Sequence, residues 1–154
     1  IKYGLALLLL SFYSCESWLN VTPSDRLSEE MLFNDREGFV KALNGVYIEL
    51  NTNELYGRNL TAGALDVMGQ YYSVASSSHA FYNYGGLVYT GNDEKALFDN
   101  MWQKCYAVIA CCNTIIEKCD ENKAGLSPVW KGSIKGEALA LRAMSVRSPD
   151  LRIR

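Results

Sequence analysis

The chain has 154 residues, a formal net charge of −2 and 21% charged side chains. No stripe of basic residues runs through it, which argues against a nucleic-acid-binding surface. Ten tyrosines against five phenylalanines give an excess of rings with a polar edge, a composition suited to amphipathic contact surfaces.

The first 15 residues have the order of an export signal. Lys2 precedes an apolar run from Leu5 to Leu10, and the small residue Ser14 stands before Cys15. This order is typical of a secretory signal, and the run is too short to cross roughly 30 Å of hydrocarbon. It predicts a bacterial lipoprotein signal over residues 1–14, with Cys15 carrying lipid. A buried helix, or an ordinary signal beside an incidental cysteine, is the alternative.

Two helices are predicted in the first half of the chain. Asn34 as N-cap with Glu37 three residues later resembles a capping box. Apolar residues then recur at spacings of three and four, which predicts about four helical turns ending near residues 51–53. A weaker helix is predicted from Asn59 to Met68.

Between Gly69 and Asn92 the helical period disappears. Six aromatic residues, Tyr71, Tyr72, Phe81, Tyr82, Tyr84 and Tyr89, are interleaved with serines and glycines. This pattern predicts a long loop with a short extended piece from Leu87 to Thr90. Long loops within compact domains often serve function.

The strongest helical pattern runs from Glu94 to Cys119. Its apolar stripe contains Leu97, Met101, Cys105, Val108, Cys112, Ile116 and Cys119, with Trp102 alongside. Cysteines seven apart on a helix lie about 10 Å from each other along the axis, which is too far for a disulfide. We therefore expect them to pack in the core, and no metal is expected because His79 is the only histidine.

A fourth helix is predicted to start at Ser127-Pro128, an N-cap followed by proline at the first helical position. Trp130 is expected in the core. Four helices with short connectors predict an all-α fold of packed helical hairpins with one long aromatic-rich loop.

Four motifs in order resemble the SusD/RagB family of outer-membrane lipoproteins. They are Cys15–Pro23, Leu27–Phe33 with Ala42–Tyr47, Trp102–Ile109 with Asn113–Ile116, and Lys135–Ala143. The resemblance implies tetratricopeptide-like helical pairs that support a glycan-binding surface. It also implies a lipid anchor at Cys15 on the outer face of the outer membrane, and a partner TonB-dependent (SusC-like) transporter that receives the oligosaccharide.

The resemblance implies a domain division as well. Residues 1–14 would be the signal, 15–33 the anchored segment, 34–143 an incomplete helical domain and 144–154 an aberrant tail, because the motifs cease after Ala143.

Candidate ligand residues lie in the aromatic loop. Stacking on sugar rings needs flat aromatic faces beside amides, which points to Tyr71, Tyr72, Tyr82, Asn83 and Tyr84. The alternative is that these rings pack the loop against the helices. Trp102 is expected to serve the scaffold.

No catalytic activity or cofactor is expected. Asp93 and Glu94 stand at the predicted start of a helix, where the helix dipole stabilises acidic side chains. We therefore interpret them as helix-capping residues rather than as the two carboxylates of a glycosidase. A lipid-anchored hydrolase is therefore disfavoured. The remaining alternative to glycan binding is a truncated helical scaffold that binds only protein.

Overall fold

The computed structural model describes residues 29–147. The predicted signal, Cys15, Trp18 and residues 148–154 lie outside this range. Within it the chain forms helices joined by turns and contains no strand, which confirms the all-α prediction. The helices are α1 (Glu29–Leu32), α2 (Arg36–Leu50), α3 (Ala64–Met68), α4 (Tyr82–Gly85), α5 (Asn92–Glu121) and α6 (Pro128–Arg147).

Helices α5 and α6 form the predicted hairpin. Asn122 ends α5 in the left-handed conformation, with φ of 49°. Its side chain accepts from the Leu126 backbone N–H at 2.8 Å and donates to the Leu126 carbonyl at 3.3 Å, so it holds the connector. Along the returning helix, Arg142 donates to Asn113 at 2.8 Å. The two helices are thereby fixed side by side.

Helix α2 packs against this hairpin. An ion pair joins Lys104 of α5 to Glu49 of α2, and a second joins Lys118 of α5 to Glu29 of α1. Between them lies the core, which includes Phe39, Leu43, Val46, Val108, Ile115, Ile134 and Ala138. Burial of such side chains contributes roughly 1.5–3 kcal/mol each. The described part therefore has a continuous apolar centre.

The predicted start of α2 was wrong by one residue. Asp35 is the N-cap, and its side chain accepts from the Gly38 N–H at 2.8 Å. Glu37 therefore lies one position too early for a capping box and pairs with Lys41 at 2.8 Å instead. The helix ends at Leu50, as predicted.

The second predicted helix was too long. Only Ala64–Met68 is helical, while residues 51–63 form turns. The N–H groups of Tyr56, Asn59 and Leu65 bond to carbonyls six residues back. These wide turns replace the four-residue spacing of an α-helix.

The cysteine prediction is confirmed. Cys105, Cys112 and Cys119 are free and buried, whereas Cys111 is free and exposed. Burial raises the pKa of each of the three buried thiols. They act as small apolar side chains in the core.

The two described tryptophans lie at the surface. The Trp130 ring is 42% exposed with the Arg36 guanidinium 4.6 Å from its centroid, so its expected core placement was wrong. Trp102 is 43% exposed and contacts the Tyr106 ring at 4.9 Å. It lies about 100° around the helix from the buried Met101, on the flank of the stripe.

Helix α6 continues to Arg147, so the first residues of the predicted tail extend the helix. Among residues 29–147, none of the helices has the length and apolarity needed to cross a membrane.

Candidate functional site

The segment between α3 and α5 carries the predicted ligand residues, and we call residues 69–91 the aromatic segment. Gln70 has a left-handed backbone, with φ of 61°. Its side-chain Nε2 donates to the Gly85 carbonyl at 2.9 Å and to the Val67 carbonyl at 3.4 Å. The start of the segment is thereby bonded to α4, so the predicted loop has an ordered path.

The structure corrects two details of the predicted loop. Tyr82–Gly85 form the short helix α4, and residues 87–90 are not extended strand but a turn followed by coil. Leu87 adopts a φ of 55°, which reverses the chain after α4 and allows its return towards α5.

Tyr84 is the centre of an aromatic cluster and is only 2% exposed. Its ring centroid lies 5.9 Å from that of Phe81, 6.0 Å from Phe98 and 6.2 Å from Tyr89. Burial, reinforced by the charge of Glu94, raises the pKa of Tyr84 to about 12. Its ring therefore offers no face to a ligand. Tyr84 packs the aromatic segment against α5, which was the alternative to a sugar-binding role for this residue.

Tyr72, Tyr82 and Asn83 come together around a cavity of about 400 Å³, which we call the loop cavity. Gln70 lies in the same lining, completed by Ser73, Val74, Gly85, Gly86 and Val88. Tyr72 is 57% exposed and Tyr82 is 42% exposed. Concave sites with aromatic walls and a few polar groups are the usual form of small-molecule sites.

Tyr71 is 82% exposed and lies outside this lining. Of the five predicted ligand residues, the cavity therefore unites Tyr72, Tyr82 and Asn83 and excludes Tyr71 and Tyr84.

Asn83 connects the cavity to the first turn of α5. Its Nδ2 donates to Glu94 Oε1 at 2.7 Å. This bond is the main cause that lowers the pKa of Glu94, helped by the carboxylate's bond to its own backbone N–H and opposed by burial. Glu94 is 6% exposed, so a buried carboxylate orients the amide.

Sequence reasoning placed Glu94 at a helix start but missed this role. Asn83 and Glu94 are 11 positions apart and lie in two different helices. Helical spacing therefore could not predict their contact. The sequence held one indication of this contact, which is the glycine at position 91. A Cβ on Gly91 would stand 2.0 Å from Glu94 Oε2, so the glycine before the helix leaves room for the carboxylate.

The groups that line the loop cavity include aromatic rings, amides and hydroxyls. Its rings can pack on apolar faces, and its amides and hydroxyls can exchange hydrogen bonds with a ligand. Among the described residues no group of His, Cys, Asp or Glu is arranged to hold a metal ion.

The described part of the chain is an all-α scaffold that carries an aromatic-lined cavity, a class of fold rather than of function. Comparison with known proteins narrows that class. The sequence is similar to SusD-like protein P2 of Formosa agariphila (strain DSM 15362 / KCTC 12365 / LMG 23005 / KMM 3901 / M-2Alg 35-1), with 26% identity over 127 residues. The match covers 79% of this chain and 25% of that relative, so the chain spans about a quarter of the length of the curated relative it matches.

No family model matches the chain, and no solved structure does. The sequence is thus distantly similar to that of a SusD-like protein, and this similarity agrees with the resemblance seen in the motifs.

Proposed function

We propose that this chain belongs to a non-catalytic lipoprotein that captures oligosaccharides at the outer face of the outer membrane. It would be anchored through Cys15 and would deliver its ligand to a partner TonB-dependent transporter. The observation that carries the proposal is the placement of Tyr72 and Tyr82 around one cavity together with the amides of Gln70 and Asn83.

This arrangement suits a sugar for two physical reasons. The C–H groups on the face of a pyranose ring are weakly polar and pack on the flat face of a tyrosine, where burial of apolar area is favourable. The hydroxyls at the ring's edge need both donors and acceptors. Gln70 uses both of its amide hydrogens within the protein, so it offers its side-chain oxygen as an acceptor. Asn83 uses one amide hydrogen on Glu94, so it offers its second hydrogen as a donor and its oxygen as an acceptor. The distant similarity to a SusD-like protein supports the same ligand class.

The test is retention of the full chain in gels that contain different polysaccharides. We expect at least one polysaccharide to retard the wild type, and the double variant Tyr72→Ala/Tyr82→Ala to lose that retardation with an unchanged helical circular dichroism spectrum. Tyr106→Ala is the matched control. This tyrosine is 50% exposed, but it lies about 18 Å along α5 from Glu94.

A second candidate function is a scaffold that binds protein and no sugar. It is favoured by a cleft of about 680 Å³ between α2 and α5 that α1 also borders, and its apolar lining includes Leu32, Val46 and Ile115. Apolar clefts of this kind serve protein contacts. Absence of retardation by every polysaccharide, with the protein folded, would favour this scaffold over the glycan proposal.

A further inference from the structure

The loop cavity is uncharged. None of the described residues in its lining carries a formal charge at neutral pH. Its polar groups are the amides of Gln70 and Asn83, the hydroxyl of Ser73 and the phenols of Tyr72 and Tyr82. All of these are neutral donors or acceptors.

The charge that lies behind the lining is negative. Glu94 stands 2.7 Å from the Asn83 Nδ2, and its lowered pKa keeps it ionised at neutral pH. Within the part of the chain that the structure describes, no lysine or arginine forms an ion pair with it. Among these described residues, the contacts that stabilise its charge are hydrogen bonds from Asn83 and from its own backbone N–H.

Within residues 29–147, Arg58 is the cation recorded against the aromatic cluster, and it contacts the cluster outside the loop cavity. Its guanidinium lies 5.6 Å from the Phe81 ring centroid, and its Nε donates to the Asn59 side chain at 3.3 Å. It is absent from the cavity lining among the described residues. An anionic ligand would thus meet no cation within the lining.

A carboxylate or sulfate group in this cavity would lose hydration without gaining a cationic partner, and the Glu94 charge would lie behind the Asn83 amide. Burial of an unpaired charge is costly. A neutral sugar loses only hydroxyl hydrogen bonds, which the amides can replace.

We propose that the loop cavity selects neutral oligosaccharides and discriminates against glycans that carry carboxylate or sulfate groups. This inference rests on the proposed function and names the ligand class of the same site.

The test uses matched pairs of ligands. The probes are hexasaccharides of β-1,4-glucan, α-1,4-glucan, β-1,4-mannan and β-1,4-galactan, each beside its counterpart oxidised to the carboxylate at C6. Linkage and length are then equal, and each pair differs at C6, where a neutral hydroxymethyl group is replaced by a carboxylate. Calorimetry on the full chain should show at least one neutral probe bound, with its oxidised partner bound roughly tenfold or more weakly, as a single unfavourable charge contact produces. Added salt should narrow the gap.

Two variants that each introduce one positive charge locate the discrimination. Ser73→Lys places a cation in the lining and should reduce the preference for the neutral probe by roughly threefold or more. Ser77→Lys makes the same change at another exposed serine of the aromatic segment, outside the lining, and should leave the preference unchanged.

The outcomes separate the two proposals. Binding of an oxidised probe by the wild type as tightly as its neutral partner would overturn the selectivity and leave glycan binding standing. Equal effects of the two lysine variants would also overturn the assignment to this cavity. Failure of every probe to bind would overturn this inference, whereas the proposed function is overturned only when no polysaccharide retards the full chain either.

Discussion

The side-chain amide of Asn83 donates a 2.7 Å hydrogen bond to the carboxylate of Glu94. The contact joins α4, which carries Tyr82, to the first turn of the longest helix, α5. The carboxylate is held in turn by the backbone at the start of α5. The position of one cavity wall thus depends on a buried acid that no ligand needs to touch.

The stability of this contact should depend on pH. The pKa of Glu94 in the folded protein is lowered from 4.5, so its contribution to stability is present above about pH 4.5 and lost as the pH falls through the lower folded value. Glu94→Gln removes this titration. The difference in unfolding free energy between wild type and variant should be constant from pH 6 to 8 and change below about pH 4.5. Chemical denaturation across this range measures it, and a difference independent of pH would contradict the assignment.

Alkaline titration offers a complementary check on Tyr84. Because its pKa is raised to about 12, it favours folding below about pH 10, and this contribution is lost as the pH rises through 12. Tyrosinate absorbance of the wild type should therefore show a late ionisation that is absent in Tyr84→Phe.

A methyl group at Gly91 should disturb the same contact. A Cβ there would stand 2.0 Å from Glu94 Oε2, and the flexible carboxylate would have to move away from Asn83. We expect Gly91→Ala to accelerate amide hydrogen exchange in residues 69–91 more than elsewhere. Gly132→Ala is the control, because no atom beyond its chain neighbours and the adjacent backbone of its own helix lies within 4 Å of its Cβ position. It should raise the unfolding free energy by about 0.5–1 kcal/mol without changing exchange in the aromatic segment.

Two adjacent cysteines provide a test of the core. Cys112 is 0% exposed, while Cys111 is exposed. Cys112→Ser buries a hydroxyl in place of a thiol and should cost about 1–3 kcal/mol, whereas Cys111→Ser should stay within about 0.5 kcal/mol. Urea unfolding of the two variants gives the comparison. Equal effects of the two substitutions would mean that the orientation of α5 about its own axis is wrong.

The lipid anchor remains a prediction from the sequence. Cys15→Ala should abolish incorporation of radioactive palmitate in cells that express the full chain, since the thiol is the attachment point. Cys111→Ser, which alters an exposed cysteine far along the chain, should label like the wild type. Labelling of Cys15→Ala at the wild-type level would contradict the lipoprotein assignment.

The long helices could be predicted from the sequence because one periodic apolar face determines each of them. The stripe through Cys105, Cys112 and Cys119 placed α5 to within two residues at each end. Short elements could not be predicted in this way. Helix α4 is a single turn fixed by contacts from Gln70 and Glu94, which come from other parts of the chain.

The candidate site was predictable in composition and not in geometry. The density of tyrosines pointed to residues 71–84, but local spacing could not show which rings face outwards. Tyr84 turns into the cluster with Phe98, a residue of α5, while Tyr82, two positions earlier, lies at the cavity. That division depends on tertiary packing.

The central claim is that the loop cavity binds an oligosaccharide, and hydrogen exchange with and without a saturating ligand tests it most directly. Using the polysaccharide or oligosaccharide that retards the full chain most strongly, we predict slower exchange confined to residues 70–88, with the α5–α6 hairpin unchanged. Protection along the α2–α5 cleft instead, with residues 70–88 unaffected, would contradict the account.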